Sequence, residues 1–198
     1  KRTRVFGTFG DLVLAVDLSG DGSRVLATSA DRRVRCYSAA DGTMLWESRL
    51  HSDWVTCGAF SADGRFVATG GRDHTIKVLD AATGELFTTY KGHQRNLGKE
   101  TGRFEVYALT FEDEGARAFS AGEGQSIRVW EPEKARAEDG SAADMEIRFY
   151  KKGHTQFLMH GSRHPVFDLA ACGDDLFAAT GDGIVKQFNL THLQHVRD

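Results

Sequence analysis

The sequence predicts an all-β protein built of four successive four-stranded antiparallel meanders, and three observations predict it. The chain repeats itself at an interval of about 42 residues, a period that suits a unit of four short strands. Within each repeat, short runs alternate apolar with polar residues, as in Thr75-Ile76-Lys77-Val78-Leu79, which is the period of a half-buried strand. Glycine is abundant, 22 residues against 2 prolines, and recurs in Asp-Gly and Thr-Gly pairs that supply tight turns between those runs. No segment shows sustained helical periodicity.

The elements follow in order. Leu18-Ser19-Gly20-Asp21-Gly22-Ser23-Arg24-Val25-Leu26-Ala27-Thr28 returns as Phe60-Ser61-Ala62-Asp63-Gly64-Arg65-Phe66-Val67-Ala68-Thr69. Asp31 to Gly42 returns as Asp73 to Gly84, with Asp41-Gly42 and Thr83-Gly84 as the closing turns, where glycine accepts positive φ without steric cost. A third copy runs Val106 to Phe111, Ala118 to Gly122 and Ser126 to Glu131; a fourth, more worn, runs Val166 to Ala170, Leu176 to Gly183 and Ile184 to Asn189. The chain is thus a single domain with repeats at about 10–50, 51–91, 92–151 and 152–198.

Composition narrows the function classes. With Lys+Arg 25 against Asp+Glu 28, the formal charge is 25 − 28 = −3, which provides no cationic stripe for phosphates or anionic lipid; neither nucleic acid nor a membrane is expected as partner. An apolar fraction of 40% suits a globular core, and no apolar run approaches the roughly 20 residues of a membrane helix. The start, Lys1-Arg2-Thr3-Arg4, lacks Met, which points to a processed or excised segment, and precedes no apolar targeting segment, so a cytoplasmic location is expected. Cys36, Cys57 and Cys172 are isolated, and His192 and His195, like His154, His160 and His164, lack neighbouring ligands at zinc spacing, so no metal is expected. No Gly-x-Ser-x-Gly elbow and no phosphate-cradling loop between strand and helix occurs; no cofactor is expected and the reading is non-enzymatic.

Gly92-His93, Gly153-His154, Phe60-Ser61-Ala62-Asp63-Gly64, Ala68-Thr69-Gly70-Gly71-Arg72-Asp73 and Val129-Trp130-Glu131 resemble the blades of WD-repeat β-propellers, over nearly the whole chain. The resemblance implies four WD-type blades, each repeat giving the outer strand of one blade and the three inner strands of the next. Arg4 to Phe9 would then be an outer strand preceding the first repeat, as Leu86 to Tyr90 precedes the third. It also implies, at the blade ends, a buried structural hydrogen-bond network of His, Ser or Thr, Asp and Trp. Mapped by position, the first blade keeps Thr28 and Asp31, with Phe9 near the His position and Tyr37 for Trp. The second keeps His51, Thr69 and Asp73, with Leu79 for Trp. The third keeps His93, Ser120 and Trp130, with Gly124 for Asp. The fourth keeps Thr180 and Asp182, with Phe188 for Trp and either His154 or His164.

Departures from the repeat point to the partner surface. Insertions after Gly92-His93 and after Gly153-His154 are expected on the top face, and a third, Glu133 to Glu146, in the turn leading to an outer strand at the opposite rim. Trp54, Arg95, Arg103, Phe104, Phe157, Met159 and Arg163 are the expected contacts to another protein, since aromatic and Arg side chains dominate binding energy; Phe104, Phe157 and Met159 equally suit packing onto the blade rim. The leading function is a protein-interaction scaffold. An alternative is a quinoprotein-like propeller, enzyme or scaffold, because Ser38 to Glu47 resembles a docking motif whose Trp, here Trp46, packs between blades; another is a propeller domain appended to an enzyme in a longer chain. Four blades close only with sharp turns between neighbours, so the segment is expected to belong to a seven- or eight-bladed ring, or to self-associate through open blade edges, near Val13 to Leu18 and Val166 to Ala170.

Overall fold

The computed structural model describes residues 4–91, 93, 104–112, 117–124, 127–133, 157–159, 164–190 and 194–197. Among these residues, four antiparallel sheets of four strands each follow one another along the chain. The first holds β1 (Val13–Leu18), β2 (Arg24–Ser29), β3 (Val34–Ser38) and β4 (Met44–Ser48). The second holds β5 (Val55–Phe60), β6 (Phe66–Gly71), β7 (Ile76–Asp80) and β8 (Leu86–Tyr90). The third holds β9 (Val106–Phe111), β10 (Ala118–Gly122), β11 (Ile127–Trp130) and β12 (Phe157–Met159); the fourth holds β13 (Val166–Cys172), β14 (Asp175–Thr180), β15 (Val185–Asn189) and β16 (Gln194–Arg197).

The repeat seen in the sequence recurs at atomic scale. Ser19 Oγ donates to Asp21 at 2.6 Å and Ser61 Oγ to Asp63 at 2.6 Å, so both Asp-Gly turns are pinned by the same short bond. Gly22 and Gly64 follow at φ 69° and 67°, a conformation that a side chain would strain. A second recurrence lies in the backbone: each first strand carries one extra residue near its start, at Leu14, Thr56, Tyr107 and Phe167. Such a bulge bends the strand and sharpens its twist. All four bulged residues line one central cleft, which β1, β5, β9 and β13 share.

Neighbouring blades bury apolar faces against each other. Leu26, Cys36 and Trp46 meet Val55, Val67 and Leu79 between the first and second; Ile76, Val78 and Tyr90 meet Val106, Leu109 and Trp130 between the second and third; Ala108, Phe119 and Val129 meet Leu169, Leu176 and Phe188 between the third and fourth. Trp46 is a dedicated fastener. Its indole Nε1 donates to the Ala81 carbonyl at 3.0 Å and its ring lies so close to Gly84 that a Cβ there would sit 2.6 Å from it.

Two expectations about outer strands need correction. Residues 4–9 form no strand: they cross the face of the first blade away from the second, where Arg4 Nη1 donates to the Ala39 carbonyl at 2.9 Å, Arg35 donates to the Thr8 carbonyl at 2.6 Å, and Phe6 meets Tyr37 edge-on at 5.9 Å. A ladder needs a partner strand, and among the described residues none runs beside this segment. The outer strand of the third blade is β12, so Phe157 and Met159 belong to a ladder on β11 rather than to a top-face loop, and that strand falls past the boundary expected near 151. The Phe-Leu-Met run has strand composition, and it takes the free edge of β11.

Candidate functional site

The top face is the end of the blades that carries the β4–β5 and β6–β7 connections. His51, just after β4, lies with Nδ1 3.0 Å from the Asp73 carboxylate and Nε2 2.9 Å from Thr69 Oγ1. Asp73 also accepts from the Ser52 amide at 3.1 Å and from Thr75 Oγ1 at 2.8 Å. Burial by itself would raise the Asp73 carboxyl, but its hydrogen bond to His51 and the charge there outweigh that and hold it down at about 2. Leu79 stands where a Trp donor would continue the chain of bonds, and it is fully buried in the apolar seam instead.

The third blade holds the complementary fragment. His93 Nε2 lies 2.9 Å from Ser120 Oγ, which also accepts from Trp130 Nε1 at 3.1 Å. Tyr90 of the second blade stacks on Trp130 at 5.0 Å. In the fourth blade Thr180 Oγ1 donates to Asp182, which pairs with Lys186 at 3.4 Å; His164 is exposed and His154 lies outside the described residues. The first blade joins least: Thr28 Oγ1 is buried without a partner among the described residues, whereas Asp31 accepts from the amides of Gly10 at 2.9 Å and Arg33 at 3.0 Å. Phe9, near the His position, lies under the Arg35 guanidinium at 4.3 Å.

Of the expected partner contacts, Trp54 is on the top face and 37% exposed. Two residues that the sequence reading passed over complete its setting. Arg72 lies over the indole at 4.9 Å and its Nε donates to Glu105 at 2.8 Å, so three segments from two blades converge on one aromatic ring. The signal was present as an Arg in a turn next to a Trp-bearing loop, but charge complementarity between repeats is invisible to a comparison that only aligns them. Phe104 packs its ring against the turn at Gly124, 3.3 Å from where a Cβ would stand there. Arg95, Arg103 and Arg163 lie outside the described residues. Cys36 and Cys57 are buried, which pushes their thiols up to about 11 and about 12 and leaves them protonated and unreactive. Among the described residues, no cluster of metal-ligating side chains occurs and no helix is long and apolar enough to cross a membrane.

Sheets of this form, arranged around a shared cleft and fastened by end-of-blade hydrogen bonds, define a β-propeller scaffold. A family model, the WD domain or G-beta repeat, matches residues 1–38, 42–80 and 84–131, and the chain belongs to that WD40-repeat family. The second and third matches each begin with the outer strand of one blade and end on the third strand of the next, the offset that the resemblance implied, whereas the first opens ahead of residues 4–9, which form no strand. Among curated relatives, the apoptotic protease-activating factor 1 of Danio rerio is 25% identical over 91% of this chain and 12% of its own length. A U3 small nucleolar RNA-associated protein 15 homolog of Xenopus tropicalis is 28% identical over 98% of this chain and 33% of its own length. The chain therefore spans a third or less of these relatives. The solved structure of U3-55K superposes with a TM-score of 0.76 at 20% identity, covering 98% of this chain and 53% of that one, which shows the fold.

Proposed function

We propose that the chain is a non-enzymatic protein-interaction scaffold whose top face, centred on Trp54, receives another protein. The observation that carries this is the Trp54–Arg72–Glu105 cluster: an exposed indole held by a guanidinium that is itself tethered to a carboxylate. Trp and Arg dominate interface energies, and a preset geometry lowers the entropy lost on binding. The relatives named above differ in what their names describe, protease activation in one and a nucleolar RNA in another, and what they share with this chain is the repeat. The U3-associated names favour an RNA-containing assembly in the nucleus as the setting, ahead of the cytoplasm expected from the sequence. The quinoprotein-like alternative has in its favour only the docking of Trp46 between two blades.

Capture from an extract with the unaltered chain and with Trp54→Ala tests the reading. The variant is expected to lose a protein that the parent retains, while Leu86→Ala, on the exposed edge of β8, keeps it. Identical recovery with all three would count against the top face.

Exposed apolar side chains flank both ends of the blade series, Val16 and Leu18 on β1 and Phe177 and Val185 on the fourth blade. We propose that further blades or a second copy cover them. Light scattering of the isolated chain is expected to give more than one chain mass; a lasting monomer with cooperative unfolding would defeat this.

A further inference from the structure

In every blade the second position of the third strand is a cation: Arg35, Lys77, Arg128 and Lys186. Three of them are provided for. Arg35 donates to Glu47 at 2.6 Å, Lys77 to Thr89 Oγ1 at 3.3 Å within the field of Asp73, and Lys186 lies 3.4 Å from Asp182. Arg128 is only 2% exposed, yet among the described residues its Nε and Nη1 have no hydrogen-bond partner. The reason is legible in the turn before it: Gly124 follows Ser120 at the same spacing at which Asp73 follows Thr69, so the third blade lacks the carboxylate that the second one has.

A second orphan stands nearby. His74, on the turn of the second blade and held at φ 65°, has a buried Nδ1 with no partner among the described residues. Ser120 and Arg128 are direct ladder partners, so their side chains share a face, and Ser120 places that face toward His93, Trp130 and the second blade. His74 leads into β7, whose Ile76 packs in the same seam as Trp130, and burial, then the charge of Arg128 and then that of His74, lower the His93 imidazole well below its ordinary value. The His74 residue is half-buried, so the neighbourhood reaches solvent beside it.

A buried guanidinium with two unpaired nitrogens is costly, and native proteins pair such groups. Orphaned nitrogens on two adjacent blades describe a place completed by a negatively charged oxygen from elsewhere. We propose that the seam between the second and third blades is an oxyanion site, in which Arg128 and His74 hold a carboxylate presented by an acidic side chain of a partner protein. The carboxylate is favoured because it is the group that Asp73 supplies one blade earlier; phosphate shares the chemistry and forms the other arm of the test. The site deepens the interaction reading above and rests on it only for the origin of the anion.

The test follows the backbone amide signals of Ser120 and Gly124 in the intact chain as sodium acetate or inorganic phosphate is added against sodium chloride at equal ionic strength. A saturable shift is expected with acetate, at least tenfold weaker in His74→Ala and absent in Arg128→Met. A response to phosphate alone would overturn the carboxylate assignment. Gly124→Asp fills the site from within: a Cβ there needs the Phe104 ring, at 3.3 Å, to give by a few tenths of an ångström, and this variant is expected to lose the anion response and to melt higher than the parent. An unsaturated drift equal in the parent and Arg128→Met, or an undiminished response in Gly124→Asp, would overturn the site. Because the probes are free anions, that result leaves the interaction reading standing, whereas unchanged capture by Trp54→Ala sinks that reading and leaves the site.

Discussion

Gly122→Ala is expected to destabilise the chain by about 3 kcal/mol or more, the upper end for forcing atoms into packed space. Gly122 ends β10 opposite Val106, where Tyr107 bulges out of the neighbouring strand. A Cβ there collides with the Glu105 carbonyl oxygen and stands 2.9 Å from the Tyr107 amide nitrogen. Both obstacles are backbone, so no rotamer change relieves them, and the same carbonyl is fixed by the Glu123 amide at 3.0 Å. The equivalent Gly71 meets a milder version, with the Trp54 carbonyl at 2.5 Å. Gly20→Ala is the control, because its nearest neighbour is the Ala62 carbonyl at 3.4 Å and Ala62 itself occupies that place in the next repeat. Its effect should stay within about 0.5 kcal/mol. Denaturant midpoints decide the matter: equal values for Gly122→Ala and Gly20→Ala would show that the bulge is not as described.

Asp73→Ala should lower stability by about 1–3 kcal/mol at neutral pH, since it strips His51, the Ser52 amide and Thr75 of their common acceptor in a side chain only 7% exposed. The pH dependence identifies the cause. The folded carboxyl is held at about 2, whereas an unfolded aspartate titrates near 3.9, so the folded value is the lower of the two. Its contribution is therefore complete above about pH 4 and disappears as pH falls toward 2. Urea unfolding followed from pH 6 to pH 2 should show the parent and variant converging over that lower interval. A constant gap between them at all pH values would mean that packing, rather than the charged acceptor, is what the alanine removes.

Much of the fold was legible because each repeat restates the same turn chemistry. Ser19-x-Asp21-Gly22 and Ser61-x-Asp63-Gly64 announce one hairpin twice, and the alternation of Ile76, Val78 and Leu79 with polar neighbours announces a strand. Repetition fails where it is broken. The Phe157-Leu158-Met159 run has strand composition, but the long insertion before it breaks the repeat interval, so no repeat position marks it as the partner of β11. Arg4 to Phe9 has the pattern of a strand but makes its bonds through Arg4, Phe6 and Thr8 to side chains and turns of the first blade. At the site, the His51–Thr69–Asp73 grouping could be placed through the family resemblance, because it lies within one repeat unit and each member maps onto a repeat position. Arg72 with Glu105, and Arg128 with His74, could not: these relations cross a seam between blades, and a seam has no fixed separation in sequence.

The four bulges have a consequence for how such a protein can change over time. A bulged residue faces no single counterpart across the ladder, so its side chain is released from the pairing that constrains its neighbours. Leu14, Thr56, Tyr107 and Phe167 share one structural address and almost no chemistry, an aliphatic, a hydroxyl, a phenol and a phenyl group around the same opening. Thr56 uses its freedom to bond the Val106 carbonyl of the next blade, and Tyr107 and Phe167 stack at 5.8 Å. The backbone thus offers four independently variable positions on a rim whose shape it keeps constant, and the chemistry of the opening can drift one residue at a time without any strand losing its register.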